Sequence, residues 1–327
     1  MIVQVIGTLR GGGAERVALT LHKGLKELGE RSKILVLSDK IDYTIEDEDI
    51  VLGADIEQIE ADMIIAHMQD VSEKLVDRYP NIWHVIHSSY SYRFQRRGLF
   101  SRFKYQRRFR KLYDNQQLIC VSEGVKQDVL HHLQVKPKAI EVIYNPFDIE
   151  EIQKEAVEDL DLGFKYMINI AAFTKVKNQA LLLASYAKLE TELDLVLLGK
   201  GSQEKRYKRM AEELGIGDRV HFPGWQSNPY KYLKNAELFV LSSDVEGFGN
   251  VLVESLIVNT PVVSTDCPSG PDEILVGALR PFLAKVGDRD DLSEKMALAL
   301  KAYPDIERKY YDKFNYMEIA DHYRKLK

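Results

Sequence analysis

Cysteine is scarce in this chain of 327 residues, and the two cysteines present, Cys120 and Cys267, lie far apart in the sequence. Two thiols without a short spacing form neither the framework of a disulfide-stabilised secreted domain nor the ligand pattern of a structural zinc site. We therefore interpret both side chains as buried free thiols of a protein that works in a reducing compartment.

Long apolar runs are also missing. No stretch approaches the ~18–20 apolar residues of a transmembrane helix, and the segment Met1–Ile6 has neither the basic region nor the cleavage pattern of a signal peptide. The composition, 45% hydrophobic and 29% charged, is that of an ordinary globular protein. We expect a cytoplasmic protein, and at roughly 150 residues per domain its length predicts two domains.

The net charge of −5 argues against a general nucleic-acid-binding role. The charge is unevenly distributed along the chain. Residues 39–62 contain ten acids and one base, whereas residues 93–111 contain nine bases and no acid. The second of these segments requires a physical explanation, which is taken up below.

Short β-type runs alternate with segments of helical periodicity, and the alternation starts again at Tyr166. This pattern predicts parallel sheets covered by helices on both faces. We expect two doubly wound, Rossmann-like α/β domains, residues 1–160 and 161–305, with a last helix at about 306–327 that packs back on the first. Two such domains facing across a cleft would bind a ligand at the carboxyl ends of their strands.

A glycine-rich turn, Gly11 to Gly13, lies between the first predicted strand, Ile2–Ile6, and the first predicted helix, Ala14–Leu28. Glycines at such a turn allow close approach of a ligand, and a helix N-terminus favours an anion. The spacing differs from that of the dinucleotide-binding fingerprint. A phosphate contact and a simple tight turn are both compatible with this segment.

The segment Asp244–Glu254 joins a predicted buried strand to a helix and carries two carboxylates, Glu246 and Glu254. Eight residues of helix separate them by about 12 Å at ~1.5 Å per residue, too far for the ~5 Å pair of a retaining hydrolase. Each could accept hydrogen bonds from hydroxyl groups of one extended ligand. A helix cap followed by a solvated glutamate is the alternative interpretation.

Taken with the rest of the chain, this segment closely resembles glycosyltransferase family 4, a retaining family with the GT-B fold. Nearly the whole sequence takes part in the resemblance. The matching motifs are Gly-Gly-Ala-Glu-Arg16, Val121-Ser, Ile143-Tyr-Asn-Pro, Lys177-Asn, Leu198-Gly-Lys-Gly201, Val220-His-Phe-Pro-Gly-Trp225, Glu246-Gly-Phe-Gly-Asn-Val-Leu-Val-Glu254, Pro261-Val-Val-Ser-Thr-Asp266 and Gly270-Pro-Asp-Glu-Ile-Leu275.

The resemblance implies roles for individual side chains toward a nucleotide-sugar donor. Glu246 would contact the donor sugar, Lys177 the diphosphate and Glu254 the ribose hydroxyls. His87, at the end of a predicted strand, would lie beside the donor sugar, although a lone histidine is more often structural. The implied donor-binding residues are Gly12, Gly13, Lys175, Gly199, Phe222, Gly247, Phe248, Gly249, Asn250, Val251 and Glu254.

The chain departs from the family pattern at the diphosphate site. The family usually has Gly-Arg where this sequence has Ala171 and Ala172, so one of the two expected cations is missing. Lys175, two residues before Lys177, is a candidate replacement. A second departure is Asn259, where the family usually has glycine.

The basic segment is predicted to be helical over 93–113. Arg97, Lys104, Arg108 and Lys111 would then share one face. This face would contact an anionic membrane surface or a lipid-linked phosphate. A solvated face beside the acidic region 39–62 is the alternative, and nucleic acid is a poorer interpretation because the charge is local.

The resemblance therefore predicts a retaining, metal-independent glycosyltransferase without a cofactor. It would move a hexose or N-acetylhexosamine, with a UDP-sugar favoured as donor, to a glycan or lipid-linked acceptor in bacterial cell-surface polysaccharide synthesis. We expect it at the inner face of the cell membrane as a peripheral protein. The alternatives are a weak or inactive GT-B protein that binds glycan or membrane and, less favoured, a nicotinamide-dependent oxidoreductase.

Overall fold

A computed structural model describes residues 1–39, 41, 46–92 and 99–327, and for residues 99–100 it describes the backbone alone. The described chain forms two compact units. The first comprises Met1–Asp148 and Phe314–Lys327, and the second comprises Ile149–Lys313.

The first unit is built on a parallel sheet. Its strands in the described part of the chain are β1 (Ile2–Ile6), β2 (Ser32–Val36), β3 (Ile50–Leu52), β4 (Met63–His67), β5 (Ile82–Ile86), β6 (Gln117–Cys120) and β7 (Ala139–Val142). Their order is β3-β2-β1-β4-β5-β6-β7, and every neighbouring pair is parallel. The order reverses between β1 and β4, as in a doubly wound Rossmann-like sheet.

Helices connect these strands and cover the sheet. Those described in the first unit are α1 (Gly13–Glu27), α2 (Gln69–Leu75), α3 (Leu99–Tyr113), α4 (Glu123–Gln127), which continues as a π-helix over Asp128–His132, and the final helix of the chain, Tyr316–Lys325. The final helix packs on α1, where a Cβ at Gly24 would lie 2.9 Å from that of Ala320. Glycine at this position therefore allows the two helices their close approach.

The second unit repeats the plan with a second parallel sheet. Its described strands are β8 (Tyr166–Ile170), β9 (Asp194–Leu198), β10 (Val220–Gly224), β11 (Leu238–Leu241), β12 (Val262–Thr265) and β13 (Leu283–Ala284). Their order is β10-β9-β8-β11-β12-β13, with all neighbours parallel. These two sheets confirm the predicted pair of Rossmann-like α/β domains.

The helices described in the second unit are α5 (Ile149–Ala156), α6 (Gln179–Tyr186), α7 (Glu204–Glu213), α8 (Tyr230–Lys234), α9 (Asn250–Ile257), α10 (Pro271–Ile274) and α11 (Arg289–Lys301). The final helix, Tyr316–Lys325, is α12. Single 3-10 turns are formed by Gly217–Arg219, Gly277–Phe282, Arg308–Tyr310 and Asp312–Phe314.

The division between the units differs from the predicted boundary at residue 160. The segment after Asp148, predicted to belong to the first domain, forms α5 and packs on α8 of the second unit. Ile149, Ile152 and Ala156 give this helix a buried stripe at helical spacing. The division therefore falls at Asp148, ahead of the helix.

The predicted last helix at 306–327 is shorter in the structure. Two 3-10 turns precede it, and α12 begins after Asn315, whose side chain accepts a hydrogen bond from the backbone N–H of Met317. An asparagine at the helix N-cap sets the start of a helix by satisfying one of the first free N–H groups. The sequence analysis also missed β3 and β13, which are short edge strands of three and two residues.

The two cysteines are free and buried, which confirms that part of their interpretation. Burial raises the pKa of the Cys120 thiol to about 12, so this side chain packs as a small apolar group. Within the described residues, no helix has both the length and the apolar character to cross a membrane.

His84 is a buried polar side chain in the middle of β5. Both of its ring nitrogens lack a hydrogen-bond partner among the described residues, and the ring packs edge-on against Tyr113 with centroids 5.8 Å apart. Burial lowers the pKa of His84 from 6.5 to about 4. Since the unfolded chain binds this proton more readily, stability is full above pH 6.5 and is lost as the pH falls toward 4.

We predict that His84→Leu makes the protein less sensitive to acid. Between pH 8 and pH 5 the wild type should lose about 2 kcal/mol of unfolding free energy through this group, at 1.36 kcal/mol per pKa unit. The variant should lack that loss in urea unfolding at the two pH values. His322→Gln, on an exposed histidine, is the control, and an unchanged pH dependence in His84→Leu contradicts the prediction.

Candidate active site

The candidate site of the second unit lies where the strand order of its sheet reverses. β8 lies between β9 and β11, so the loops after β8 and β11 leave neighbouring carboxyl ends. In open α/β sheets the two loops at such a reversal diverge and leave a crevice for a ligand. Lys177 lies on the first of these loops and Glu246 on the second.

An ion pair joins these two predicted site residues. Nζ of Lys177 donates to both carboxylate oxygens of Glu246, at 2.6 Å from Oε1 and 2.7 Å from Oε2. The Glu246 side chain is 9% exposed and that of Lys177 is 29% exposed. A carboxylate this buried costs several kcal/mol in lost solvation unless charge and hydrogen bonds compensate it. The structure therefore brings together two residues that lie 69 positions apart in the sequence.

Ser243 also donates a hydrogen bond to the carboxylate of Glu246. Its Oγ donates to Oε1 of Glu246 at 2.5 Å, and the hydroxyl of Thr265 donates to the carbonyl of Ser243 at 2.6 Å. The sequence analysis did not predict this contact. Its only signal is a hydroxyl residue three positions before a glutamate at the end of a buried strand.

Further hydrogen bonds hold the two loops together. The Ser242 hydroxyl donates to the carbonyl of Lys177 at 2.9 Å, and the backbone N–H of Asp244 donates to the carbonyl of Val176 at 2.8 Å. Asn178, which adopts a left-handed conformation with φ 46°, donates from Nδ2 to Oδ1 of Asp244 at 2.8 Å. The position of Lys177 is therefore set by both loops.

Two glycines shape the loop that precedes α9. Gly249 caps the helix with φ 93°, a conformation that other residues rarely adopt. Gly270 has φ 110°, and a Cβ there would lie 1.9 Å from the carbonyl oxygen of Phe248. The backbone around Gly270 thus contacts the loop between β11 and α9. This loop, called the donor loop below, carries the predicted donor-binding residues Gly247, Phe248 and Gly249. The sequence does not predict this contact, although Gly270 is the first residue of the family motif Gly270-Pro-Asp-Glu-Ile-Leu275.

The other predicted donor-binding residues of this segment lie in the same loop or in α9, which follows it. Gly247 and Phe248 are buried, and Asn250 and Val251 form the first turn of α9. Glu254 lies in the second turn and is 4% exposed, so it is not the solvated glutamate of the alternative interpretation. Its contact with a ribose stays a prediction.

Of three further predicted residues, Gly199 and Lys175 lie on loops and Phe222 lies in β10. A Cβ at Gly199 would lie 2.1 Å from the carbonyl oxygen of Ala171, so this glycine permits the loops after β8 and β9 to touch. The Phe222 ring packs edge-on against Phe173, with centroids 6.1 Å apart. Lys175 is exposed, and within the described chain no ion pair links it to Glu246. Its role as a replacement cation stays a prediction.

In the first unit, the glycine-rich turn is tied to α1 by one carboxylate. Glu15 accepts hydrogen bonds from the backbone N–H groups of Arg10 at 2.8 Å and Gly12 at 2.5 Å, and from the Thr8 hydroxyl at 2.6 Å. Gly12 is the N-cap of the helix and Gly13 its first residue. Both an anion contact and a tight turn remain compatible with this geometry.

His87 follows β5 at the same edge of the first sheet as this turn. Its Nε2 lies 3.0 Å from Nδ1 of His67, and the two rings stack with centroids 5.3 Å apart. His67 in turn contacts Oε1 of Gln4 through Nε2 at 2.9 Å. His87 is half-buried, and burial lowers its pKa to about 4. A substrate contact of His87 stays a prediction, and its connection to Gln4 was not foreseen.

The basic helix α3 exposes three of the four basic residues of the predicted face, Lys104, Arg108 and Lys111. Arg97 lies outside the described residues, and Arg108 pairs with Glu73 of α2 at 2.7 Å. The exposed face centres on Phe103, which is 65% exposed. Arg107, Arg110 and Lys111 line an open pocket of about 580 Å³ with Phe103, and Asp77 and Asp114 line it too. Arg110 pairs with Asp114 at 3.4 Å.

Among the described residues, no ion pair joins the acidic region 39–62 to this helix. Asp47 and Asp49 pair with Lys26 at 2.9 and 3.1 Å, and Asp62 pairs with Lys327 at 2.9 Å. The alternative, a solvated face beside the acidic region 39–62, stays open.

No cluster of three or more His, Cys, Asp or Glu side chains suited to a metal occurs in the described parts of the chain. The Lys177–Glu246 pair already satisfies the acidic side chain at the centre of the site. Independence from a metal stays a prediction.

The two parallel sheets, each with its order reversal, define a GT-B fold. The family model for glycosyl transferases group 1 matches residues 150–316, just over half of the chain, and the model for Glycosyltransferase Family 4 matches residues 51–151. The chain therefore belongs to the group 1 glycosyl transferases, and the family predicted from the motifs is confirmed.

Curated relatives include enzymes of bacterial surface glycans. The chain is 34% identical over 216 residues to the N-acetylgalactosamine-N,N'-diacetylbacillosaminyl-diphospho-undecaprenol 4-alpha-N-acetylgalactosaminyltransferase of Campylobacter jejuni, covering 64% of this chain and 59% of the relative. It is 30% identical over 178 residues to the lipopolysaccharide 1,6-galactosyltransferase of Salmonella typhimurium, covering 53% and 49%. The chain thus spans about half to three fifths of these relatives' length.

Solved structures match along the whole chain. HepE of Anabaena in complex with UDP-glucose has a TM-score of 0.78 at 19% identity, covering 99% of this chain and 98% of that one. The sucrose-phosphate synthase of Thermosynechococcus elongatus has a TM-score of 0.80 at 16% identity, covering 99% and 97%. At these identities the likeness establishes the fold alone.

We predict that Gly270→Ala displaces the donor loop, because the added Cβ meets the Phe248 carbonyl. Gly277→Ala is the matched control, since Gly277 also has positive φ, 58°, but open space around its Cβ position. Backbone strain alone should cost about 1–2 kcal/mol in Gly277→Ala, and the clash should add about 2 kcal/mol in Gly270→Ala. Urea unfolding measures both, and equal losses contradict the prediction.

Proposed function

We propose that this protein is a retaining glycosyltransferase. It moves a hexose or N-acetylhexosamine from a UDP-sugar to a glycan or lipid-linked acceptor in bacterial cell-surface polysaccharide synthesis. The observation that carries the proposal is the ion pair between Lys177 and the buried Glu246 at the strand reversal of the second sheet. Family membership and the fold support it.

The pair presents both kinds of group that a nucleotide sugar requires. An ammonium group such as that of Lys177 binds a diphosphate, and a carboxylate such as that of Glu246 accepts hydrogen bonds from sugar hydroxyls. The backbone at Gly249 and the first turn of α9 add the positive end of a helix. Glu254, buried one turn further along, is suited to the two hydroxyls of a ribose.

The chemistry needs a stabilised leaving group more than a strong nucleophile. The bond between the anomeric carbon and the diphosphate oxygen breaks, and the acceptor hydroxyl oxygen forms a new bond to that carbon on the same face. The acceptor proton leaves with the departing diphosphate. Lys177 and the start of α9 would stabilise the negative charge that develops on the diphosphate. No metal is required by this scheme, and the protein would need no cofactor.

The choice of donor and acceptor follows from the relatives. The Campylobacter relative is named for N-acetylgalactosaminyl transfer to an undecaprenol-linked diphosphate, and the Anabaena structure contains UDP-glucose. These names favour a UDP-sugar and a lipid-linked or glycan acceptor here. The exposed Ala172, where the family usually has arginine, favours the alternative of a weak or inactive protein.

We predict that one UDP-sugar in a panel of UDP-, GDP- and ADP-sugars is turned over, with chelator present, by the wild type. Glu246→Gln and Lys177→Met should lower kcat by on the order of 10²–10³, because each removes charge or hydrogen bonding at the reacting centre. Lys175→Ala should raise the donor KM if this lysine replaces the missing arginine.

The control is the surface pair of Lys165 and Glu237, 3.1 Å apart in the same unit, so Lys165→Met should leave kcat unchanged. NMR of the product anomer decides between retention and inversion. Donor binding without turnover would support the inactive-protein alternative, and no binding of any donor would overturn the donor site.

We also propose that the exposed face of α3 binds an anionic membrane surface, which would keep the enzyme peripheral to the inner face of the cell membrane. Phe103 supplies an apolar contact, and Arg107, Arg110 and Lys111 supply positive charge around it. Each basic residue near an anionic bilayer contributes about 1 kcal/mol. An aromatic side chain among basic ones is typical of an interfacial helix.

We predict co-sedimentation with vesicles that contain phosphatidylglycerol and not with pure phosphatidylcholine vesicles. Arg107→Glu with Arg110→Glu should lower vesicle binding at least about tenfold, and high salt should weaken it in the wild type. Lys205→Glu with Arg209→Glu makes the same charge change on exposed positions of α7 and should have little effect. Equal losses in the two double variants would mean that net charge, not this face, governs binding.

A further inference from the structure

Gln4, His67 and His87 form a continuous chain of hydrogen bonds in the first unit. Nε2 of Gln4 donates to the carbonyl of Ala18 at 3.1 Å, and Oε1 of Gln4 lies 2.9 Å from Nε2 of His67. Nδ1 of His67 lies 3.0 Å from Nε2 of His87. Gln4 and His67 are completely buried, so water cannot substitute for these contacts.

The backbone carbonyl at the inner end fixes the direction of every proton in the chain. A carbonyl accepts only, so Gln4 turns its amide nitrogen to Ala18 and its oxygen to His67. That oxygen also accepts only, so Nε2 of His67 carries the proton and Nδ1 holds a lone pair. Nε2 of His87 must then carry a proton, and the remaining nitrogen of His87, Nδ1, holds a lone pair.

Both rings are neutral in this arrangement. Burial lowers the pKa of His67 well below its ordinary value, and the neighbouring His87 lowers it further. Burial alone lowers the pKa of His87 to about 4. Within the described residues no partner occupies Nδ1 of His87, and this ring is the half-buried, outward end of the chain.

We propose that Gln4 and His67 are positioning residues that hold His87 with its Nδ1 lone pair available to accept a hydrogen bond from a hydroxyl or amide N–H of the sugar substrate. The inference rests on the proposed function for the identity of the substrate. It adds a preference for chemical class: a sugar with an O–H or N–H donor at this contact is favoured, whereas the carboxylate of a uronic acid meets a lone pair and is disfavoured.

The tautomer itself can be measured without any substrate. In protein labelled with ¹⁵N-histidine, we expect an unprotonated Nδ1 and a protonated Nε2 for His87, assigned by the loss of its signals in His87→Gln. Gln4→Met keeps the side-chain length and removes the acceptor for His67, so a mixture of His87 tautomers should appear. A protonated Nδ1 in the wild type would overturn the inference whatever the enzyme does.

The matched control is Asn169→Leu. Asn169 is a buried amide at the centre of β8, the counterpart of β1, and donates to the carbonyl of Val240 at 2.8 Å. It should lower stability and leave the His87 tautomers unchanged. A merely structural role of Gln4 predicts the same behaviour for both variants, and that result would contradict the proposal.

Turnover measurements then separate this inference from the proposed function. Gln4→Met should lower kcat/KM of the turned-over donor about tenfold, the worth of one hydrogen bond of about 1.4 kcal/mol, while the Kd for UDP stays unchanged. Mixed tautomers with unchanged kcat/KM would overturn the substrate contact and leave the transferase intact. Absence of turnover by the wild type on every donor would overturn the proposed function and the substrate contact together, with the tautomer still decided by NMR.

Discussion

A parallel sheet whose strand order reverses at its centre leaves two loops that diverge from neighbouring carboxyl ends, and the second unit places opposite charges on those loops. Lys177 and Glu246 meet there because β8 and β11 pair directly. The buried carboxylate is compensated by the ammonium group and the Ser243 hydroxyl. The hydrogen bond of Asn178 to Asp244 also joins these two loops. The close approach of Gly270 to Phe248 supports the second of them from the loop after β12.

The first unit uses the same sheet plan for different chemistry. At its edge lie a glycine-rich turn held by Glu15 and a pair of neutral histidines. Neutral rings with defined hydrogen-bond directions suit hydroxyl groups, whereas the charged pair of the second unit suits a diphosphate and its sugar. The ion pair of Lys177 with Glu246 belongs to the second unit, whereas the candidate residues His67 and His87 of the first unit are neutral.

The charged surface follows from pairing rather than from composition. The acidic region 39–62 finds its partners in Lys26 and Lys327, and Arg108 finds one in Glu73. Arg108 stays exposed despite this pair, and Arg107 and Lys111 line the pocket beside Phe103. A helical projection of the sequence identified the basic helix and three of its exposed charges, whereas the ion pair of Arg108 with Glu73 joins two elements and has no signal in that projection.

The sequence by itself determined the elements that depend on local pattern. The strand Ile2–Ile6 has the predicted bounds, because a continuous apolar run of this length suits a buried parallel strand. The motif around Glu246 identified the family and the candidate donor loop. Such features require only neighbours along the chain.

Tertiary structure decided what depends on distant residues. The short edge strand at Ile50–Leu52 exists through pairing with its neighbour, and α5 joins the second unit through packing on α8. The pairing of Lys177 with Glu246, the support of Phe248 by Gly270 and the hydrogen-bond direction from Gln4 to His87 have no local signal. Each joins segments that the sheet brings side by side, so only the folded chain defines them.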